Sequence, residues 1–180
     1  VLKGEIRHYD TKLREWRPLK AGDVQIIRAG NGISHSEWLG KDGEIFQIWF
    51  DPNLSKTLSK PASYDDYQAS AFPEKTDGNA RIKTLVGEGS PFRMDTPGVE
   101  VLTIDLSAGE LSLPVPPGNI GSAYILEGNA TFNGEAVKTS DFVLVEGQDS
   151  LHIQSENPVQ VFIIFSPAKL DYPTYAQIRA

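Results

Sequence analysis

The segment AGNGISHSE, residues 29–37, holds the side chains best suited to chemistry in this chain. His35 and Glu37 stand two apart, and residues at that spacing on a β-strand point to the same face. An imidazole beside a carboxylate suits a divalent transition metal, iron in particular when coordination positions stay open for a substrate. The alternative is a polar pair that is hydrogen-bonded near a turn at the mouth of a barrel. Gly30 and Gly32 are expected to form the turn that aims His35.

Composition limits the other ligands that a metal site could use. The chain has no cysteine, which excludes disulfides, iron–sulfur clusters and thiolate zinc sites. Its three histidines are His8, His35 and His152. We interpret His8 as a residue on the face of a β-hairpin and His152 as a single histidine between two apolar neighbours, so neither is predicted to be a ligand.

Charge and hydropathy exclude several classes of partner. With 17 basic and 24 acidic residues the net charge is −7, and no basic run is present, so we expect no nucleic-acid partner. No apolar stretch approaches the roughly 20 residues that a membrane helix needs. The first residues do not resemble a signal peptide. These features predict a cytoplasmic protein with no membrane partner.

Short β-branched and aromatic runs, separated by turn-forming residues, dominate the chain and predict an all-β sandwich or barrel. The predicted strands are Val24–Ile27, Ile45–Phe50, Val99–Leu106, Phe142–Val145 and Val159–Phe165.

Two segments outside these strands suggest short helices. PASYDDYQAS, within residues 61–80, could form one with Ser63 as its N-cap, and YPTYAQIRA at the C-terminus could form another. We therefore expect a first unit over residues 1–60, a linker over 61–80, a second unit over 81–168 and a tail over 169–180.

An internal repeat links the two expected units. VLKGEIRHYD resembles ILEGNATFNG, AGDVQII resembles TSDFVLV, and AGNGISH resembles EGQDSLH, in the same order. Five positions separate Gly30 from His35 and also Gly147 from His152, which predicts that the two histidines are equivalent.

The repeat also predicts a first barrel that is incomplete at its N-terminus. Residues 81–124 contain strand-like sequence ahead of the second copy, and the first copy has no counterpart. An open barrel would expose an unpaired strand edge, which folded proteins avoid. Three explanations stay open: loss of those strands, a segment outside this sequence, or a second subunit in a homo-oligomer that covers the edge.

Three segments, GDVQIIRAGNGISHSE, FQIWFDP and KPASYDDY, resemble the pirin family. That resemblance implies a bicupin, which is a tandem pair of jelly-roll-type cupin β-barrels. It further implies one iron in the N-terminal barrel, held by a His-x-His pair on an early strand and by a later histidine and glutamate that match His35 and Glu37. Iron or another divalent transition metal is therefore the expected cofactor.

The same resemblance locates the early ligands outside this sequence. Measured from the glycine of LKG, the His-x-His pair falls before Val1. The same offset from Gly128 falls on Pro114 and Pro116, which cannot bind a metal. Since Gln154 also stands where the repeat aligns it with the glutamate of the first copy, we expect the second barrel to be metal-free.

Two functions follow from the resemblance. One is a quercetin 2,3-dioxygenase-type enzyme acting on a flavonol, with Glu37 as metal ligand and catalytic proton acceptor. The other is a metal-free regulatory protein that binds a protein partner without catalysis. A weaker third interpretation is a fragment in which only the second barrel folds stably. The aromatic residues either line a flavonoid-sized pocket or belong to the core; they are Trp16, Trp38, Trp49 and Phe50.

Overall fold

The computed structural model describes residues 1–179, and nearly all of its regular structure is antiparallel β. The strands are β1 (Glu5–Asp10), β2 (Arg17–Lys20), β3 (Val24–Arg28), β4 (His35–Leu39), β5 (Ser63–Tyr67), β6 (Glu74–Asp77), β7 (Ala80–Val86), β8 (Glu100–Leu106), β9 (Gly109–Pro114), β10 (Asn119–Glu127), β11 (Asn129–Phe132), β12 (Glu135–Lys138), β13 (Phe142–Val145), β14 (Ser150–Ser155) and β15 (Val159–Pro167). The helices are α1 (Leu54–Thr57), α2 (Tyr175–Arg179) and a single 3-10 turn (Ala69–Ala71).

Contacts divide the chain into two compact units. Unit 1 comprises Val1–Ala71, Met94–Thr96 and the C-terminal segment that begins at Tyr172. Unit 2 comprises Phe72–Arg93 and Pro97–Asp171. The all-β prediction is confirmed in both units, since helix is confined to the short segments named above.

Unit 2 consists of two antiparallel sheets around one apolar core. The larger sheet has the strand order β13-β10-β15-β8-β7-β6, and the smaller has the order β12-β11-β14-β9. The alternation of side chains along β14 shows how each sheet faces this core. Leu151 and Ile153 are buried, whereas His152 and Gln154 are exposed. Each buried Leu or Ile side chain stabilises the unit by about 1.5–3 kcal/mol.

Unit 1 has a three-stranded sheet, β2-β1-β4, and a two-stranded sheet, β3-β5. β1 is central in the first sheet, and its alternate residues Ile6, His8 and Asp10 are fully buried. After β1 the chain turns sharply, because one carboxylate oxygen of Asp10 accepts the backbone N–H groups of Lys12 and Leu13 at 2.6 and 2.7 Å. Two of the three buried residues of β1, His8 and Asp10, are polar.

The internal repeat is visible in matching hydrogen bonds. Residues 20–23 and 138–141 form the same turn, in which the N–H of the first lysine donates to the carboxylate of the last aspartate at 2.9 Å in both copies. Gly4 and Gly128 both have left-handed φ angles. Each of these glycine carbonyls accepts a backbone N–H from the residue after that lysine.

Four of the five predicted strands are confirmed, and the strand over Ile45–Phe50 is wrong. After β4 the chain makes only an isolated bridge between Lys3 and Glu44, and residues 45–50 have no regular structure. Apolar alternation alone does not make a strand, because a strand also needs a neighbour to pair with its backbone.

The predicted helix with Ser63 as its N-cap is also wrong, because Ser63–Tyr67 forms β5 and pairs with β3. Tyrosine and aspartate are weak helix formers, and β3 offers an unpaired backbone edge that this segment fills. The predicted C-terminal helix is confirmed over Tyr175–Arg179, and Ala180 lies outside the described residues. Across residues 1–179, no helix is both long and apolar enough to cross a membrane.

Candidate functional site

The turn before β4 positions both residues singled out in the sequence. Gly30 and Gly32 adopt left-handed φ angles of +49° and +121°, as predicted. Any side chain at Gly30 would meet the carbonyl of Lys60, since a Cβ there would lie 2.3 Å from that oxygen. The turn therefore rests directly on backbone, and β4 begins at His35.

Antiparallel pairing places four polar side chains on one face of β1 and β4. Asp10 stands opposite His35, and His8 stands opposite Glu37. The ring centroids of His8 and His35 lie 5.8 Å apart, which confirms that both rings are on the same side. His35 is exposed, whereas His8 is fully buried.

His8 lies at the centre of this group, although it was not predicted to be a site residue. Its Nε2 lies 2.9 Å from Oδ2 of Asp10, and its Nδ1 lies 3.2 Å from Oε1 of Glu37. Tyr64, on β5, stacks on the ring at a centroid distance of 4.3 Å. Only a tertiary contact between distant strands could have identified it, because nothing local distinguishes HYD from any alternating strand.

The carboxylate of Glu37 has one occupied oxygen and one unpartnered oxygen. Oε1 accepts the side-chain amide of Gln25 at 2.6 Å in addition to contacting His8. Oε2 is buried and has no hydrogen-bond partner among residues 1–179. A buried polar atom without a partner costs about 1–3 kcal/mol. A water molecule or an ion can satisfy such an atom.

Two neighbouring groups have fixed protonation states. Burial alone would raise the pKa of Asp10, but hydrogen bonds from the N–H of Leu13, the ring of His8 and the N–H of Lys12 lower it below its ordinary value. Burial, with the carboxylates near it, raises the pKa of Tyr64. At neutral pH, Asp10 is therefore an ionised acceptor and Tyr64 is a phenol that retains its proton.

His35 and Glu37 fit a metal as part of a ligand set. Imidazole nitrogen and carboxylate oxygen are ligands that iron and nickel accept, and the free Oε2 of Glu37 is a donor atom in need of a cation or a hydrogen. In the part of the chain that is described, however, no group of three or more His, Asp or Glu side chains could hold a metal ion. Further ligands would have to come from water, substrate or other protein atoms.

Trp16 and Trp38 lie away from this face. Trp38 follows Glu37 directly, so it points to the opposite side of β4, where it packs under the guanidinium of Arg7 at 4.8 Å from the ring centroid. Arg7, Trp16 and Trp38 line a surface pocket of about 180 Å³. Trp16, Trp38 and Trp49 are 50%, 47% and 86% exposed, so the interpretation of these three as core residues is wrong.

Strand pairing shifts the predicted equivalence of the two copies by one residue. Counted from the repeat glycines Gly4 and Gly128, His8 corresponds to Phe132. Phe132 stands opposite Ile153, just as His8 stands opposite Glu37. The counterpart of Glu37 is thus Ile153 rather than Gln154, because the turn of the first copy is one residue longer. A slip of one residue moves every side chain to the other face.

His152 is accordingly not the structural equivalent of His35. It is exposed, and its Nε2 lies 3.1 Å from the hydroxyl of Ser150. The backbone N–H of His152 donates to Asn133 at 2.7 Å. The matched spacing that linked the two histidines in sequence therefore reflects similar turns and not similar side-chain positions.

Solved structures show the same fold. A quercetin 2,3-dioxygenase from Acinetobacter baumannii superposes with a TM-score of 0.81, at 20% identity, covering 98% of this chain and 69% of that one. A bacterial pirin from Escherichia coli in complex with nickel(II) superposes with a TM-score of 0.72, at 21% identity, covering 92% and 69%. The chain therefore has the tandem cupin fold, as the sequence predicted.

Sequence comparisons identify the protein family that the chain resembles. Residues 1–50 match the family described as Pirin. The chain is 32% identical to Pirin-like protein 2 of Arabidopsis thaliana over 133 residues, covering 71% of this chain and 40% of that protein. It is 24% identical over 171 residues to a Vibrio cholerae protein named "Putative quercetin 2,3-dioxygenase", covering 88% of this chain and 60% of that protein.

The resemblance to the pirin family is thus confirmed. The chain spans 60% of the length of the Vibrio cholerae relative and 40% of the Arabidopsis one.

Proposed function

We propose that this pirin-like protein binds a divalent transition metal, iron in particular, and opens a flavonol in a quercetin 2,3-dioxygenase-type reaction. His35 and Glu37 are the two ligands that the described residues contribute. One observation carries the proposal: Oε2 of Glu37 is buried and unpartnered while Oε1 is held by two other groups. The names of the relatives and the nickel complex of the Escherichia coli pirin support it.

The residues of the chain have distinct parts in this proposal. A bound metal supplies a Lewis-acid and redox centre at which the oxygens of the substrate and dioxygen can bind. Glu37 contributes a ligand oxygen and accepts the proton of the flavonol hydroxyl. His35 is exposed, so an incoming ligand reaches its ring without rearrangement of the strand. His8 and Gln25 hold the carboxylate in place from the buried side.

The test uses the full-length gene product in three forms: wild type, Glu37→Gln and Gln154→Ala. Metal content after purification and loading with ferrous iron is measured together with flavonol consumption. We expect about one metal per wild-type chain, with loss of both metal and activity in Glu37→Gln. Gln154→Ala changes an exposed residue of unit 2 and should leave both unchanged. If Glu37→Gln behaves as the wild type does, the assignment of the site is wrong.

A second candidate is a metal-free regulatory protein that binds a protein partner. The observation that favours it is the exposed aromatic surface of unit 1, where Arg7, Trp16 and Trp38 line one pocket. Tryptophan and arginine are the residues most enriched at the centres of protein interfaces. Iron at one equivalent per chain, together with flavonol turnover, would argue against this candidate.

Two further features stay predictions from the sequence: a cytoplasmic location, and a homo-oligomer that covers the open edge of unit 1. Gel filtration with light scattering measures the second directly. A dimer whose dissociation exposes the amides of unit 1 to hydrogen exchange is the expected result, and a strict monomer with protected strands in unit 1 contradicts it.

A further inference from the structure

We infer that His8 is a positioning residue, which clamps Oε1 of Glu37 and so leaves Oε2 as the oxygen that faces the metal. This inference rests on the proposed function, since it concerns the same carboxylate. It assigns a role to a residue that lies on a different strand from both proposed ligands.

The position of His8 is fixed on all sides. The ring is 0% exposed and lies nearly parallel to the ring of Tyr64, with an interplanar angle of 10°. Its Nε2 is tied to Asp10, whose other oxygen is tied to the backbone of the following turn. The ring therefore cannot rotate without breaking a buried hydrogen bond, so its Nδ1 remains directed at Glu37.

The direction of these hydrogen bonds follows from the acceptors. Asp10 is ionised and can only accept, so Nε2 of His8 carries a hydrogen. Oε1 of Glu37 already accepts the amide of Gln25 at 2.6 Å. Nδ1 of His8 lies 3.2 Å from that oxygen as well, so both contacts hold the same atom. Oε2 receives neither, which explains why it is the oxygen of this carboxylate that has no hydrogen-bond partner.

Gln25 also holds Oε1 of Glu37, and its orientation depends on the tyrosine that stacks on His8. The hydroxyl of Tyr64 donates to the side-chain oxygen of Gln25 at 3.3 Å. That contact fixes which end of the amide faces Glu37, namely the NH₂ group. The same half-buried tyrosine thus stacks on His8 and orients Gln25, so one side chain supports both groups that hold Oε1.

Two substitutions of His8 separate positioning from mere packing. The amide nitrogen of asparagine can take the place of Nδ1, and that of glutamine the place of Nε2. His8→Asn therefore keeps a donor for Glu37, whereas His8→Gln keeps a donor for Asp10 and loses the contact with Glu37. Groups that hydrogen-bond to a metal ligand in this way change metal affinity by about 10–100-fold.

The experiment titrates cobalt(II) into the full-length protein, free of iron, and follows visible absorption as a direct signature of the ligand set. We expect His8→Gln to weaken cobalt binding about 10–100-fold and His8→Asn to weaken it about threefold or less. His152→Gln, an exposed histidine in unit 2, is the matched control and should bind as the wild type does. Circular dichroism confirms that each variant is folded.

The possible outcomes distinguish this inference from the proposed function. If the two His8 variants bind cobalt equally, whether as well as the wild type or worse, His8 does not position Glu37. If the wild type shows no saturable binding, or Glu37→Gln binds as the wild type does, the proposed function fails and the inference with it.

A measurement without substitution covers the case in which the His8 variants do not fold. In protein with ¹⁵N-labelled histidine, zinc binding should shift the Nδ1 signal of His8 while leaving His152 unchanged. An unmoved His8 signal in protein that has bound zinc would overturn the inference.

Discussion

Four positions after the repeat glycine, unit 1 has His8 and unit 2 has Phe132, and both side chains are buried. Across the strand pair they face Glu37 and Ile153 respectively. The backbone turns that precede β3 and β13 have the same hydrogen bonds. Equivalent strand pairs thus carry a polar network in unit 1 and part of an apolar core in unit 2.

The two copies differ in whether this buried cross-strand pair is apolar or polar. In unit 2 the cross-strand pair is two apolar side chains, which need no partner and stabilise by burial alone. In unit 1 the same pair needs Asp10, Gln25 and Tyr64 to satisfy its polar atoms, and one carboxylate oxygen is still left over. Polar groups in a buried position are costly, so their presence in one copy supports the site proposed for unit 1.

The largest effect is expected in unit 2. Phe132→Ala removes a side chain that is 3% exposed and leaves a cavity, which should cost about 3–5 kcal/mol of unfolding free energy. Amide hydrogen exchange of the strands of unit 2 measures it. All three tryptophans lie in unit 1, so tryptophan fluorescence serves as the internal control and should report an unchanged transition. Equal loss of stability in both units would contradict the division.

His8→Phe gives unit 1 the residue of unit 2 and tests whether an apolar ring suffices there. We expect it to destabilise unit 1 by about 3 kcal/mol, because buried carboxylates lose their partner. Denaturant unfolding followed by tryptophan fluorescence measures the change. His152→Phe, at an exposed position, should stay within about 0.5 kcal/mol of wild type. A stable His8→Phe protein would show that the network is dispensable for folding.

The stability of unit 1 should decrease at acidic pH, and protonation of Asp10 should account for part of the decrease. The pKa of Asp10 is lower in the folded chain than its ordinary value, so its ionised form stabilises the fold above the unfolded pKa of about 3.9. That contribution is lost as the pH falls through the lower folded pKa. Tryptophan fluorescence at falling pH should show the loss, and Asp10→Asn should flatten it while costing about 2 kcal/mol at neutral pH. An identical acid slope in Asp10→Asn would refute the assignment.

The smallest effect is expected for Tyr64→Phe, which keeps the stacked ring and removes one hydroxyl. The loss of its hydrogen bond to Gln25 should cost about 1 kcal/mol. Stability of unit 1 measures this, with Tyr124→Phe in unit 2 as the matched control. No change in unit 1 would mean that the orientation of Gln25 does not depend on the tyrosine.

The sequence predicted the repeat, the strands β3, β8, β13 and β15, and the pair His35 and Glu37, because these depend on local alternation and on turn residues. It failed at two segments for one reason. Residues 45–50 alternate like a strand but form none in the described structure. Ser63–Tyr67 includes two aspartates, which are weak strand formers, but finds an unpaired neighbour in β3. Strand pairing is a long-range property, which a local pattern cannot supply.

Composition and local patterns were enough to predict the all-β tandem architecture, the absence of thiol chemistry, and a histidine and glutamate on one strand face. The three-dimensional structure was needed to show that His8 lies buried between Asp10 and Glu37, and that Gln25 and His8 contact the same oxygen, Oε1 of Glu37. It also decided that Ile153, and not Gln154, is the counterpart of Glu37. These facts depend on the register between strands far apart in sequence, where a slip of one residue exchanges the buried face for the exposed one.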